Sequence, residues 1–260
     1  MKIATFNVNS VKARLQNVLN WFEQANPDVA CLQEIKCESK SFPALEFESL
    51  GYYCAVSGQK TYNGVALLSK NKITDVRIGL PGDDSDEQAR YIEGVISTKT
   101  GAVRVASIYA PNGNPADSQK FPYKLKWMDR LIAHTKTLLT HEEVLVLAGD
   151  YNVIPTTDDV WDATVWENDA LFKIESRRKL RELVNLGLTD AFRACNAKAH
   201  QYTFWDYQAG AWQKDYGIRI DHLLLSPQAA DRLKTCVIDK HMRAQDKPSD
   251  HVPIWCELQV

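Results

Sequence analysis

The 260-residue sequence is 45% hydrophobic and 25% charged, with 31 Lys and Arg against 33 Asp and Glu for a formal net charge of −2. These are the proportions of a folded globular chain. They exclude low-complexity disorder and collagen-like repetition, and they require any polyanionic partner to be held by a local basic face, not by bulk attraction.

Residues 2–8 read as a strand. They open without the apolar core of a secretion signal, and no run approaches the ~20 apolar residues of a membrane span. The six cysteines form no CxxC pair, so the expectation is a cytoplasmic protein with reduced thiols and no membrane partner. A helix follows, with Ser10 as its cap, Val11, Leu15, Val18, Leu19 and Phe22 on one face, and Asn26-Pro27 as its stop. Further strands are expected over residues 29–33, 64–69, 91–97 and 103–109. A long helix spans about 117–140, its inward stripe Leu125, Met128, Leu131, Ile132, Thr135 and Leu139, with Lys120, Lys124, Lys126 and Arg130 largely outside it. Strand 144–148, a helix over 176–186 stopped by Gly187, and strands 218–225 and 251–258 complete the chain. No linker or internal repeat interrupts it, so a single α/β domain over 1–260 is expected.

The informative pattern lies where strands give way to loops. Asn7 and Asn9, Gln33 and Glu34, Tyr109 and Asn112, Asp150 and Asn152, Asp221, and Asp250 with His251 all fall at such junctions. One polar residue at a strand end is ordinary turn chemistry, but six junctions in one chain point to a site, because a sheet fixes the backbone there while side chains meet solvent. Asn7, Glu34 and Asp250 are hard oxygen donors with no Cys/His cluster beside them, a set suited to Mg²⁺ or Mn²⁺ and hence to phosphoryl chemistry. His251 beside Asp250, and within reach of Asp221, suggests an imidazole oriented by a carboxylate, with Asp150 available to take a proton from water. No GxSxG elbow, Walker loop or dinucleotide fingerprint occurs, which leaves metal-assisted hydrolysis. Alternation turns His222 to the opposite sheet face, where packing is expected. His134, His141, His200 and His241 have no carboxylate partner in the sequence pattern.

Thr5-Phe6-Asn7-Val8-Asn9-Ser10, Leu32-Gln33-Glu34-Ile35-Lys36, Tyr109-Ala110-Pro111-Asn112-Gly113, Gly149-Asp150-Tyr151-Asn152-Val153, Gly217-Ile218-Arg219-Ile220-Asp221 and Ser249-Asp250-His251 resemble, in order, the motifs of exonuclease III-type apurinic/apyrimidinic endonucleases. The resemblance covers essentially the whole chain. It implies a four-layered α/β sandwich of the DNase I-like kind, two packed mixed β-sheets flanked by helices. It implies a metal-dependent DNA repair phosphodiesterase that cleaves 5′ to abasic sites in duplex DNA, with associated 3′→5′ exonuclease and 3′-end-cleaning activity. Tyr109, Asp150, Asn152, Asp221 and His251 are then the catalytic set, and Asn7, Glu34, Asp150, Asn152, Asp250 and His251 the surroundings of Mg²⁺, for which Mn²⁺ is a substitute. Asn9, Lys12, Lys36, Asn112, Phe204, Trp205, Ile218, Arg219 and Ile220 are implied on the DNA side. The partner is double-stranded DNA with abasic sites or blocked 3′ ends, and the protein is expected as a monomer. Two alternatives stay open: a 3′-terminal phosphodiesterase or phosphatase with little abasic incision, and an inactive DNA-binding member. Loops 113–119, 156–170 and 206–216 are expected to decide between substrates.

Overall fold

The β-branched runs fold, in the computed structural model of residues 1–260, into strands β1 (Lys2–Asn7), β2 (Val29–Gln33), β3 (Tyr53–Ser57), β4 (Val65–Ser69), β5 (Ile73–Ile78), β6 (Tyr91–Thr98), β7 (Gly101–Tyr109), β8 (Val144–Asp150), β9 (Thr189–Asp190), β10 (Asp221–Leu225), β11 (Leu233–Ile238) and β12 (Ile254–Leu258). They make two six-stranded sheets, ordered β11-β12-β1-β2-β4-β3 and β5-β6-β7-β8-β10-β9. The pairs β1/β2 and β7/β8 are parallel and their neighbours antiparallel, so both sheets are mixed.

Alternation along each strand sets the layers. Ile3, Val29, Cys31, Val65 and Leu67 of the first sheet pack against Val103, Val105, Val146, Ala148 and Leu223 of the second. On the far face of the first sheet, Ala4, Phe6, Ala30 and Leu32 receive Val18, Trp21 and Phe22 of α1 (Leu15–Ala25). The outer face of the second sheet, through Ala106, Ile108, Leu145 and Leu147, is covered by α3 (Lys120–Leu139) and α5 (Ile174–Val184), α2 (Ala44–Ser49) and α4 (Ala163–Trp166) being short connectors. The order is helix, sheet, sheet, helix, the expected four-layered sandwich. One polar relay crosses between the sheets: Thr5 Oγ1 donates to Gln33 Oε1 (3.0 Å), Gln33 Nε2 to Ser107 Oγ (3.0 Å), and Ser107 Oγ to the Leu32 carbonyl (3.2 Å). All three side chains are fully buried, so each needs its partner.

Several expectations are corrected. Ser10 does not cap the α-helix: its φ is +84°, its Oγ accepts from the Ala13 amide at 3.4 Å within a preceding turn, and α1 begins at Leu15 with no side-chain cap. In α3 the buried set is Lys124, Trp127, Met128, Leu131, Ile132, Thr135 and Leu138, so Lys124 lies inside the stripe and Leu125 at its edge. His134 does have a carboxylate partner, Nε2 lying 3.3 Å from Oε1 of Glu93 on β6, where α3 covers the outer face of the second sheet. Strands β3, β5, β9 and β11 escape the pattern because they are short or exposed edge and near-edge strands with no clean apolar run. The stretches 218–220 and 251–253 are not ladder strands. Phe204 bridges both, opposite Ile218 and His251. The six cysteines are unpaired, and no helix is long and apolar enough to cross a membrane.

Candidate active site

The two parallel pairs direct the polar junctions to one place. β1 and β2 end side by side, with Asn7 opposite Gln33, and β7 and β8 end with Tyr109 opposite Asp150. Antiparallel β10 begins at Asp221 directly across from Asp150, and the segment that leads into antiparallel β12 carries Asp250 and His251 to the same end. A Cβ on Gly149 would lie 1.9 Å from the Ile108 carbonyl oxygen, so only glycine lets β8 run this close to β7 just before Asp150. Beyond the strands the backbone turns sharply, with Asn9, Glu34, Lys36 and Asn152 all at φ between +43° and +51°. Such left-handed conformations cost free energy in non-glycine residues and concentrate where side chains must be aimed.

At the centre, His251 Nδ1 is 2.8 Å from Asp221 Oδ2, and His251 Nε2 faces Asp150 Oδ2 at 3.8 Å. Burial opposes a charge on His251, but the Asp221 and Asp150 carboxylates outweigh it and raise its pKa, which keeps the ring an imidazolium. Burial raises the pKa of Asp150 above the ordinary carboxylate range, with His251 pulling the other way and Asp221 adding to the rise. The Asp221 backbone amide and that of Ile220 both donate to Thr203 Oγ1 at 3.2 Å, which fixes the start of β10. Ser249 Oγ donates to the Asn7 carbonyl (2.7 Å) and accepts from the His251 amide (3.2 Å), tying β1 to the histidine segment.

Glu34, Asp150 and His251 present ligand-type atoms within 4.8 Å of one another. The carboxylates of Glu34 and Asp150 supply the hard oxygen donors of this trio. Their oxygen chemistry fits a hard divalent ion. Asn7 lies between the carboxylates: its Nδ2 donates to Glu34 Oε1 (2.8 Å) and Asp150 Oδ2 (2.9 Å), and its Oδ1 accepts the Asn9 amide (3.0 Å). It holds the two carboxylates together. Glu34 Oε2 also lies 2.9 Å from Lys36 Nζ. Burial works against ionisation of Glu34, yet Lys36 and the Asn7 hydrogen bond prevail and lower its pKa. Asp250 Oδ1 accepts from Asn9 Nδ2 at 3.0 Å.

A cavity of about 320 Å³ opens over this cluster, lined among others by Tyr109, Asn152, Trp166, Phe204 and Ile220. The Tyr109 phenol is held protonated by burial and by the charges of Glu34 and Asp150, so it stays a donor. Asn152 accepts at Oδ1 from Asn112 Nδ2 (3.3 Å) and donates from Nδ2 to the Ala110 carbonyl (2.9 Å). Beneath the two loops, the fully buried Lys124 donates from Nζ to the carbonyls of Asn112 (3.0 Å) and Asn152.

The sequence matches the Endonuclease/Exonuclease/phosphatase family over residues 4–251. The chain belongs to this family. Exodeoxyribonuclease III of Haemophilus influenzae is 34% identical over the whole of both chains. The solved structure of the 3′ phosphatase NExo from Neisseria bound to product DNA hairpin superposes with a TM-score of 0.96 at 39% identity, covering all of both chains. An AP endonuclease from Archaeoglobus fulgidus gives 0.95 at 36%, again over both full chains.

Within this family member the residues expected on DNA divide. Lys12 and Asn112 are exposed and Asn9 and Lys36 half-buried at the rim, while Phe204 and Ile220 line the cavity. Three do not reach it. Trp205 is fully buried in the core beside α1, its Nε1 donating to Asp215 Oδ1 (2.9 Å). Ile218 is fully buried against Ile154, Val160 and Leu171. Arg219 is fully buried, its Nε on Asp159 Oδ1 (2.7 Å) and its Nη1 on Asp190 Oδ2 (2.8 Å). The physical reason is shared: each side chain points away from the site, Trp205 next to Phe204 and Ile218 and Arg219 just before Ile220, whose side chains line it. Sequence reasoning missed Lys124, Thr203 and Ser249, which act through the backbone. It named only as loops the stretches that supply Asn114, Trp166, Asp169 and Asp206 to the lining. Asn114 Nδ2 donates to both Asp169 oxygens (3.0 and 3.1 Å), joining the first two of those loops.

Proposed function

We propose that this family member is a divalent-metal-dependent DNA phosphodiesterase that cleaves 5′ to abasic sites in duplex DNA, with associated 3′→5′ exonuclease and 3′-end-cleaning activity. The ion is Mg²⁺, with Mn²⁺ as substitute. The observation that carries this reading is the buried Asp221–His251 pair facing Asp150 beside Glu34, at the place where both sheets end. Asp150, with a pKa raised toward neutrality, takes a proton from the attacking water. The His251 imidazolium and the Tyr109 phenol donate to the phosphoryl oxygens, joined by the Asn152 amide, and stabilise charge that grows in the transition state. Held by Glu34 with Asp150, and by Asp250 for a second or alternative position, a divalent cation when bound supplies neutralisation of phosphate charge. Phe204, Ile220 and Trp166 give the cavity an apolar wall suited to a sugar that has lost its base. Lys12 and Lys36, with Asn9 and Asn112, meet the backbone phosphates, so DNA affinity falls steeply with salt. The protein acts as a cytoplasmic monomer.

A second reading, a specialist for 3′ ends, is favoured by the 39% identical relative described as a 3′ phosphatase. The test is cleavage of a labelled duplex with one abasic analogue, beside undamaged and 3′-phosphate duplexes, with Mg²⁺ and with chelator. Metal-dependent incision 5′ to the lesion supports the first reading. Removal of the 3′ phosphate with an intact abasic strand supports the second. No metal-dependent reaction on any of the three overturns both.

A further inference from the structure

Behind the second sheet lies a cavity of about 360 Å³, between α5, the loop after β8 and the segment that leads into β10. We propose that it is a second, non-catalytic site for a small phosphate-bearing anion, gripped by Arg177, Arg181 and Arg219. Four arginines line it, with Arg193 the fourth, and they outnumber the three aspartates present. Two of those aspartates are already engaged. Asp159 Oδ1 accepts from both Arg219 Nε (2.7 Å) and Arg193 Nη2, while Asp190 Oδ2 takes Arg219 Nη1 (2.8 Å) and its Oδ1 caps the short helix α6 (Ala191–Cys195) through the Phe192 amide (3.0 Å). The third, Asp158, is exposed at the rim.

Positive charge and donors are thereby left over. Arg219 is fully buried and its Nη2 has no hydrogen-bond partner, and Arg177 Nε is also buried without one. The Arg177 guanidinium carbon lies 4.4 Å from the Phe172 ring centroid, a cation–π contact that uses none of its donors. Arg181 is exposed at the rim, lines the cavity and has no carboxylate within ion-pair distance. A buried guanidinium nitrogen with nothing to donate to costs free energy that an incoming oxyanion recovers, and a planar fork suits phosphate. His222 adds no positive charge of its own: burial and Arg219 both lower its pKa, and the neutral ring donates from Nε2 to the Val153 carbonyl (3.0 Å) and accepts at Nδ1 from Arg219 Nη1 (3.0 Å). The site is separate from the candidate active site because Asp221 and His222 are consecutive on β10 and face opposite sides of the sheet.

The experiment follows the arginine Nε–Hε NMR signals of the metal-free protein at fixed ionic strength. Inorganic phosphate and a deoxynucleoside 5′-monophosphate are titrated separately. Saturable shifts of the Arg177 signal, and binding weakened about tenfold or more by Arg181→Gln and by Arg177→Gln as read on the remaining arginine signals, are expected, with the rate of DNA cleavage unchanged in both variants. Equal affinity for the two probes assigns a phosphate site, and tighter nucleotide binding assigns a nucleotide site. The proposal is overturned if neither probe moves Arg177, or if both variants bind the probes like the wild type.

Discussion

Asp150 and His251 depend on each other for their charge. The carboxylate sits where burial favours its protonated form, and the imidazolium beside it, itself sustained by Asp221, opposes that. An amide in place of the carboxylate removes the proton acceptor yet keeps the shape. Asp150→Asn and His251→Ala are each expected to lower the cleavage rate by about a hundredfold or more while duplex affinity holds, as is typical of lost general-base or charge-stabilising groups. Single-turnover rates with a binding isotherm for each variant check this, and near wild-type turnover in either refutes the role assigned to it. At this scale the chemistry was legible because Glu34, Tyr109, Asp150, Asn152, Asp221, Asp250 and His251 are polar residues interrupting apolar strand text. The direction of a side chain at a strand end was not. Arg219 and Ile220 are neighbours at one such junction, and whether each turns to the cavity or the core depends on loop conformations that leave no trace in composition. Asn7 was legible as a site residue but not as to which end of its amide meets the carboxylates.

Among the elements, α3 does more than cover a sheet. Its Lys124, one turn into the helix, holds both loops that carry Asn112 and Asn152 by their carbonyls, and burial pulls its pKa down to about 7. Lys124→Met leaves both carbonyls without their donor. It is expected to reduce kcat by up to ~100-fold with little change in KM, because the Asn152 amide, proposed to meet the phosphate, loses its position while the residues proposed to meet the DNA backbone at the rim are untouched. Steady-state kinetics on the abasic duplex separate the two parameters. The segment before β10 is anchored differently, by Asp159. Burial alone would raise its pKa, but Arg219 and Arg193 outweigh burial and hold it at about 2. A carboxyl held below its unfolded value of about 3.9 contributes stability that is complete above that value and is lost as pH falls toward 2. The loss is about 2 kcal/mol. Denaturant midpoints measured from neutral pH down to about pH 2 should show the wild type falling toward Asp159→Asn, whose own midpoint stays flatter. The helices and central strands were legible through their apolar periods. Lys124 broke the rule that a lysine belongs outside, since nothing in a helical stripe announces that two carbonyls wait beneath it.

At the scale of the molecule, the first sheet is not continuous in the chain. β1 to β4 are made first, the whole second sheet follows, and β11 and β12 return at the end to pair beside β1. The α/β class could be read from the alternation of elements, and the layered architecture from the family resemblance. This interleaving could not, since β11 is a short, half-exposed strand with weak patterning. The return has a consequence for synthesis on the ribosome. Until residues 254–258 emerge, β1 is an open edge flanked by a completed sheet, and the acidic cluster of Glu34 and Asp150 lacks its imidazolium. Chains arrested near residue 240 are therefore expected to be protease-sensitive and to engage chaperones, whereas full-length chains released from the same ribosomes are not. Pulse proteolysis of the two populations makes the comparison, and equal resistance would show that the earlier strands settle unaided. Closure of the first sheet and arrival of His251 beside Asp150 are thus a single event, so a chain that has not yet paired β12 with β1 also lacks the imidazole of the candidate site.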